Sequence, residues 1–179
     1  MGGRGGSSAT AANAWRKQTV YEQAVAIATE AFDKTHPDGA VSVGSAIPDW
    51  VIDKKLDQGA AFAFRNGDGA FIKRETEKAY LIANDSDYGQ VSFWMPKSWM
   101  STPEKVRSDT IAREVGLHVG SNYNKYLRQT AADAGLKVGN LKTTAKLAAK
   151  LQSKDVGFMT KEDFKGSKGF RVLPSWFVF

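Results

Sequence analysis

Four lysines in the last third of the chain are spaced so that together they could bind phosphate groups. Lys142, Lys146 and Lys150 are four residues apart on a predicted helix from Leu141 to Gln152, and Lys137 precedes that helix. Residues at this spacing share one face of a helix, so the predicted helix has a basic stripe opposite its apolar side chains. Such a stripe can bind a nucleic-acid backbone without reading its sequence, and the solvated face of an amphipathic helix gives the same pattern.

Upstream of these lysines, residues 111–128 resemble the helix-turn-helix of bacterial repressors. In that motif a small residue packs between two helices and a glycine four positions later makes the turn, positions that Ala112 and Gly116 would occupy. The second helix would offer polar and basic side chains to phosphates and base edges. With Arg113 on the first helix, the candidate contacts are Ser121, Asn122, Asn124, Lys125 and Arg128. Tyr123, the first apolar residue of the second helix, comes one position late, and a generic corner between two helices is the alternative.

A different kind of contact, the stacking of unpaired bases, could come from the aromatic residues between positions 59 and 100. In the predicted strand Gln90–Met95, Phe93 lies on one face and Trp94 on the other, because side chains alternate along a strand. Trp94 and Trp99, with Lys97 between them, are candidates for stacking on single-stranded nucleic acid. Packing of these rings in and around a core is the alternative.

Catalytic patterns are weak in this sequence. Pro48-Asp49 followed by Asp53-Lys54-Lys55 imitates a metal-dependent nuclease, but its carboxylates are too close in sequence to come from separate strands. Glu75-Thr76-Glu77 imitates the acidic pair of ADP-ribosyltransferases without the strands that accompany it. With two histidines and no cysteine, no nucleophile and base stand out. We therefore expect no catalytic residue, no metal and no cofactor, and a metal-dependent nuclease is the least weak alternative.

Composition narrows the class of protein further. The chain has 179 residues, a net charge of +6 and 42% hydrophobic residues, so it can form a packed core. The absence of cysteine excludes disulfides, Fe–S clusters and thiolate zinc sites. No apolar run approaches the roughly 18 residues that a membrane span needs, so we expect no membrane partner. Residues 101–179 contain 14 basic and 7 acidic side chains, so an anionic partner should meet this part of the chain.

The elements that must position these residues indicate an α+β fold. Residues 1–12 read as a flexible tail, and helices are predicted over 13–34, capped by Asn13, and over 47–56. The period then changes to two, which predicts strands over Ala60–Arg65, Ala70–Arg74, Lys78–Ala83 and Gln90–Met95, with turns at 66–69 and 85–89. The basic helices are predicted over Pro103–Leu117, Ser121–Ala134, which Gly135 caps, and Leu141–Gln152. A last strand, Gly169–Phe179, should pack back on the sheet.

Together these elements predict a small twisted antiparallel sheet or partial barrel, formed by a β module at 59–100. N-terminal helices at 13–58 come before it, and a basic three-helix segment at 101–155 is inserted before the C-terminal segment at 156–179. We expect these parts to form one compact domain.

Two pieces of the chain are similar to proteins of mobile elements. The start MGGRGGSS is similar to the beginning of many hypothetical and head-associated proteins of phages and prophages. Residues 74–82 and 93–98 resemble a small β module common in phage and plasmid genomes. The matching residues are Glu75, Thr76, Lys78, Ala79, Trp94, Pro96, Lys97 and Ser98. The resemblance implies an origin in a phage, prophage or other mobile element, and it implies no particular chemistry.

These observations favour a non-catalytic nucleic-acid-binding accessory protein of a phage or mobile element, with DNA and RNA both open as partners. The alternative is a protein inhibitor of a host nucleic-acid enzyme or defence complex, as anti-CRISPR proteins are, with a host nucleoprotein complex as partner. A virion or head-associated protein is a further alternative. The expected location is the host cytoplasm or the virion.

Overall fold

The computed structural model describes residues 15–176, and its mixture of helices with one antiparallel sheet confirms the predicted α+β class. In chain order, the elements are α1 (Val20–Thr35), α2 (Asp49–Lys55), α3 (Gln58–Arg65), β1 (Phe71–Glu75), β2 (Ala79–Ser86), β3 (Gly89–Pro96), α4 (Pro103–Asp133), α5 (Thr144–Ser153) and α6 (Lys161–Gly166). The chain divides into two compact units. We call residues 1–32 with 111–179 the helical unit, and residues 33–110 the sheet unit.

The sheet unit is built on three antiparallel strands in the order β1-β2-β3. Three of the four predicted strands are thereby confirmed, and the predicted turn at 85–89 closes the β2–β3 hairpin, where Ser86 pairs with Gly89. Side chains alternate along β3, so Phe93 and Met95 pack against α2 and α3 while Trp94 lies on the opposite face. The core residues are Ile47, Val51, Ile52, Ala61, Phe64, Ile82, Phe93 and Met95.

The predicted strand at Ala60–Arg65 is wrong, because this segment is helix α3. The Asp57 side chain accepts a hydrogen bond from the Ala60 N–H at 2.8 Å and caps the helix. Ala61 and Phe64, three residues apart, then face the core together, whereas Phe62 is exposed. The alternation of Ala with Phe imitates the period of a strand, and the cap three residues earlier decides in favour of a helix.

The turn after α3, predicted at 66–69, is present and is held by the buried side chain of Asn84 on β2. The Asn84 Nδ2 donates to the Phe64 carbonyl at 2.7 Å, and its Oδ1 accepts from the Gly69 N–H at 2.9 Å. Both polar atoms of a buried amide are therefore satisfied, and the chain is fixed where it passes from α3 to β1.

The helical unit packs α1, α4, α5 and α6 around one apolar core. Residues four apart on α1 (Val20, Ala24, Ala28) and on α4 (Val115, Val119, Tyr123, Leu127) form most of this core, together with Leu147, Leu151 and Phe164.

Helix α1 begins later than predicted, at Val20. Its first turn is a capping box, in which the Glu22 N–H donates to the Thr19 Oγ1 at 3.0 Å and the Thr19 N–H donates to Glu22 Oε1 at 3.1 Å. The predicted cap Asn13 and the predicted tail 1–12 lie outside the described residues.

The predicted helix-turn-helix is wrong, because α4 runs without a break through Gly116–Gly120. The apolar stripe from Val115 to Leu127 continues across the predicted joint, so burial against one core keeps the segment helical.

Gly135, by contrast, does end the helix, as predicted: its φ is +74°, and the Leu136 N–H donates to the Ala131 carbonyl at 2.9 Å. Helix α5 begins at Thr144 rather than Leu141, with Thr143 as its N-cap.

The predicted C-terminal strand is also wrong over residues 169–176, which contain no strand. Phe170 and Val172 pack into the core of the helical unit instead of on the sheet. The Val172 N–H, which a strand would use for pairing, donates to the Gln23 Oε1, and Pro174 has no N–H to offer. Residues 177–179 lie outside the described residues.

Candidate nucleic-acid interface

The residues predicted for the second helix of a helix-turn-helix separate into exposed and structural ones. Arg113 and Ser121 are exposed on α4. Asn122 is 2% exposed and donates through Nδ2 to the His118 carbonyl at 2.8 Å, one helical turn earlier. Asn122 therefore cannot reach a ligand at the surface. Lys125 is half-buried, and burial lowers the pKa of its ammonium group.

Asn124 and Arg128 fasten α4 to the start of α5. The Asn124 Nδ2 donates to the Thr144 Oγ1 at 3.1 Å, and its Oδ1 accepts from the Arg128 Nε at 2.9 Å. The Arg128 guanidinium also donates to the Leu141 carbonyl. These two side chains are occupied within the protein, so their role is to position α5 rather than to contact a base.

The lysine stripe is carried by α5 and the loop before it. Lys142 and Lys146 are exposed, Lys150 is half-buried, and Lys137 is exposed in the loop after α4. On the opposite side of α5, Leu147 and Leu151 are fully buried in the core. The helix is therefore anchored by its apolar side, which presents the lysines toward solvent as the spacing predicts.

The two units differ in how their cations are partnered. The helical unit contains 15 basic and 7 acidic residues, and the sheet unit contains 10 and 12. Four cations of the sheet unit pair with carboxylates, namely Arg65, Lys97, Lys105 and Arg107. The fork of Arg107 binds both oxygens of Asp33, at 3.0 and 3.1 Å, and this hydrogen bonding lowers the pKa of the Asp33 carboxyl.

In the helical unit basic residues outnumber acidic ones by eight, so positive charge is in excess. Lys165 has a carboxylate within ion-pair distance, that of Glu162 at 3.6 Å. The six lysines of this unit between residues 137 and 161 have none among residues 15–176. They are Lys137, Lys142, Lys146, Lys150, Lys154 and Lys161. The surface around α5 thus carries positive charge that the described part of the chain does not neutralise.

The aromatic candidates of the sheet unit lie in different surroundings. Trp94 is 42% exposed on the sheet face opposite the core. Lys97 pairs with Glu75 and lies over the Tyr80 ring, 4.9 Å from its centroid. Trp99 is half-buried against the sheet-unit core and contacts Trp50, with ring centroids 5.0 Å apart.

Sequence reasoning missed Trp50, Lys54 and Lys55, which surround Trp99. The Nζ atoms of Lys54 and Lys55 lie 5.8 and 5.3 Å from the centroid of the Trp99 ring. The spacing of Trp50 and Lys54, four residues apart on a predicted helix, was the available signal. The partner ring of Trp99 comes 49 residues after Trp50 and could not be assigned from local sequence.

The nuclease-like carboxylates near this surface are occupied by a cation. The Arg65 Nη2 lies 2.9 Å from the Asp53 Oδ1 and 3.7 Å from the Asp49 Oδ1. Within residues 15–176, no group of three or more acidic or histidine side chains is arranged to hold a metal ion. The pattern at 48–55 is therefore explained by an exposed ion-pair cluster.

Comparison of the chain with protein-family models, with curated proteins and with solved structures found no match in any of the three. Among the described residues, there is no helix with the length and apolar character that crossing a membrane requires.

Proposed function

We propose that this protein binds nucleic acid, without catalysis, through the basic surface of its helical unit. The observation that supports the proposal is the group of lysines on and around α5 that have no carboxylate partner in the described part of the chain. The contrast with the sheet unit matters here. There, four of the ten cations pair with carboxylates and acidic residues outnumber basic ones by two, whereas in the helical unit basic residues outnumber acidic ones by eight.

Lysines arranged in this way bind the phosphate backbone by releasing its condensed counterions, which gives affinity without sequence reading. Lys146 and Lys150 project from a helix whose other side is buried, and Lys142 precedes that helix. Asn124 and Arg128 hold the start of α5 on α4, so the cations project from a rigid support. A preorganised basic surface loses less conformational entropy when it binds than a mobile tail would.

We further propose an accessory role in a phage or mobile element, on the resemblance that the sequence of residues 74–82 and 93–98 bears to a phage and plasmid module. In this proposal the protein acts in the cytoplasm of the host or is carried in the virion. DNA and RNA both supply the phosphates that the surface requires.

The test is a salt titration of binding to a labelled DNA duplex, measured by fluorescence anisotropy. For duplex DNA, the logarithm of the affinity should fall linearly with the logarithm of salt concentration between about 50 and 200 mM. The double variant Lys146→Gln with Lys150→Gln should reduce the slope by about 2, because each phosphate contact contributes about 0.9. The matched control is Lys105→Gln with Arg107→Gln, which removes the same charge from paired cations of the sheet unit.

Two results would contradict the proposal. One is the absence of binding to either DNA or RNA at low salt. The other is an equal loss of affinity in the control variant, which would mean that only net charge matters. A pull-down from host lysate, with and without nuclease treatment, addresses the inhibitor alternative. A host protein retained after nuclease treatment would favour that alternative, and material lost on treatment would favour nucleic acid.

A further inference from the structure

The sheet unit has an exposed aromatic and basic surface that the proposed function does not use. It consists of Trp50, Lys54 and Lys55 on α2 and Trp99 in the short turn after β3. We call these four residues the tryptophan platform.

The platform is rigidly supported from below. Val51 and Ile52, which follow Trp50, are buried in the core, and Trp99 packs against the same core. The turn that carries Trp99 is fixed by the hydrogen bond from the Met100 N–H to the Lys97 carbonyl at 3.1 Å. The Ser101 N–H then donates to the Ala46 carbonyl at 2.8 Å. The two indoles are therefore held in place before any ligand arrives.

The two rings have different neighbours. Trp99 is half-buried, contacts Trp50 and has the ammonium groups of Lys54 and Lys55 within 6 Å of its centroid, at cation–π distance. Trp50 is 52% exposed. Trp99 is thus a positioning residue for the two lysines, and Trp50 is the ring that a ligand can cover.

The charge next to the platform is positive. Lys54 and Lys55 have no carboxylate at ion-pair distance within residues 15–176. The carboxylates of the same helix, Asp49 and Asp53, instead pair with Arg65 of α3. A ligand that covers Trp50 and reaches the adjacent Trp99 ring would therefore meet two unneutralised ammonium groups there.

We infer that the platform binds single-stranded nucleic acid, with an unpaired base stacked on Trp50 and the neighbouring phosphates on Lys54 and Lys55. Aromatic rings beside cations are the arrangement by which proteins hold single strands, since every base has a face that can stack. In a duplex these faces are covered by the adjacent base pairs, so Trp50 would find no base to stack on. The inference rests on the proposed function, because it specifies which form of nucleic acid the protein takes.

The test uses the full chain, an oligothymidylate of about 20 nucleotides and a duplex of the same length. Trp50→Ala should weaken binding of the oligothymidylate by about fivefold to about 100-fold, the usual effect of removing one stacked ring. Binding of the duplex should change by less than about twofold, because it depends on phosphate contacts. Trp50→Phe should keep most of the affinity, because a ring is still present. Phe62→Ala is the matched control: it removes a ring of similar exposure from α3 that is not part of the platform.

Tryptophan fluorescence gives a second, independent readout. Stacking on Trp50 should quench part of the emission when oligothymidylate is added, and Trp50→Ala should remove this part of the quenching. Circular dichroism of each variant establishes that it is folded.

The outcomes separate the two proposals. If both ligands bind and weaken with the Lys146 and Lys150 substitutions, while Trp50→Ala has no effect, the platform inference fails and the proposed function stands. Equal losses for single strand and duplex in Trp50→Ala would also overturn the inference, since a general structural role would then explain them. If neither ligand binds at low salt, both proposals are wrong.

Discussion

The side-chain oxygen of Gln23 accepts a hydrogen bond from the backbone N–H of Val172 at 2.9 Å, so α1 fixes a segment 149 residues later in the chain. The Nε2 of Gln23 lies within 3.0 to 3.2 Å of the carbonyls of Trp15, Gln18 and Phe170. The side chain is 4% exposed. One buried amide therefore holds the segment before α1 and the C-terminal segment against the helical unit, with its donor and acceptor atoms both satisfied.

Gln23→Leu should lower the free energy of unfolding by about 2 kcal/mol, because it leaves the buried Val172 N–H and three partly buried carbonyl groups without this partner. Urea denaturation measures the change. The control is Gln129→Leu, a glutamine exposed on α4, which should alter the free energy by less than about 0.5 kcal/mol. Equal effects of the two substitutions would show that the Gln23 hydrogen bonds do not hold the segments.

Sequence periodicity predicted the elements whose burial is set by local spacing. Strand β3 alternates buried and exposed residues from Ser92 to Met95, and the basic helix around Lys146 and Lys150 repeats at four residues, so these two predictions are confirmed within a few residues. The prediction of a strand at 60–65 was wrong because an alternation of Ala and Phe is compatible with both a strand and a helix. The distinction came from one capping bond, that of Asp57.

The candidate site was less predictable because long-range contacts decide whether a polar side chain is available. Asn124 and Arg128 have residue types suited to nucleic acid, but the groups that occupy them belong to residues 141–144. Trp50 and Trp99 are far apart in sequence, but their ring centroids are 5.0 Å apart. Spacing along one helix predicts which residues share a face, but it does not predict what that face contacts.

Gly67→Ala should destabilise the sheet unit, because a Cβ at this position would lie 2.3 Å from the Asn84 Oδ1. Relief requires Asn84 to move and to lose its hydrogen bonds with Phe64 and Gly69. We expect a loss of about 1 to 3 kcal/mol in the free energy of unfolding, the usual effect of leaving a buried polar group unpaired.

Gly59→Ala is the control for the Gly67 prediction, since a Cβ there makes ordinary contacts on helix α3. It should be neutral or slightly stabilising. The double variant Gly67→Ala with Asn84→Ala gives a sharper check. Once the amide is gone the clash is gone, so adding Gly67→Ala to Asn84→Ala should change the free energy less than adding it to the wild type. Strict additivity would contradict the proposed contact.

His118 should make the free energy of unfolding depend on pH. The imidazole is 3% exposed, and burial lowers its pKa below the ordinary value of 6.5, although Glu114 and a hydrogen bond with the Leu173 backbone partly oppose this effect. Its Nδ1 has no hydrogen-bond partner among the described residues. Because the folded pKa is the lower one, the unfolded state binds more protons just below pH 6.5, and the free energy of unfolding should fall as pH decreases from there.

The measurement for His118 is urea denaturation between about pH 7.5 and pH 5.5. Each tenfold difference in proton affinity between the folded and unfolded imidazole corresponds to about 1.4 kcal/mol. His118→Gln should reduce the loss of stability over this range, because the titrating group is absent. His36→Gln keeps His118 and should keep the wild-type slope. If the slope of His118→Gln matches the wild type, the acid sensitivity comes from other groups.

Gly116→Ala tests the continuous helix α4 against the corner that the sequence favoured. In the helix, a Cβ on Gly116 meets nothing within 4 Å, and the residue is exposed. Alanine is better than glycine by about 1 kcal/mol in a helix interior, so the substitution should raise the free energy of unfolding by about 0.5 to 1 kcal/mol. At the turn of a helix-turn-helix, where glycine supplies a backbone conformation that alanine resists, the same substitution would lower stability.

Gly135→Ala supplies the comparison within this chain: with φ at +74° at the end of α4, it should be destabilising. The midpoint temperature of thermal denaturation should therefore rise for Gly116→Ala and fall for Gly135→Ala. A lower midpoint temperature in both variants would mean that residues 116–120 are not helical in solution.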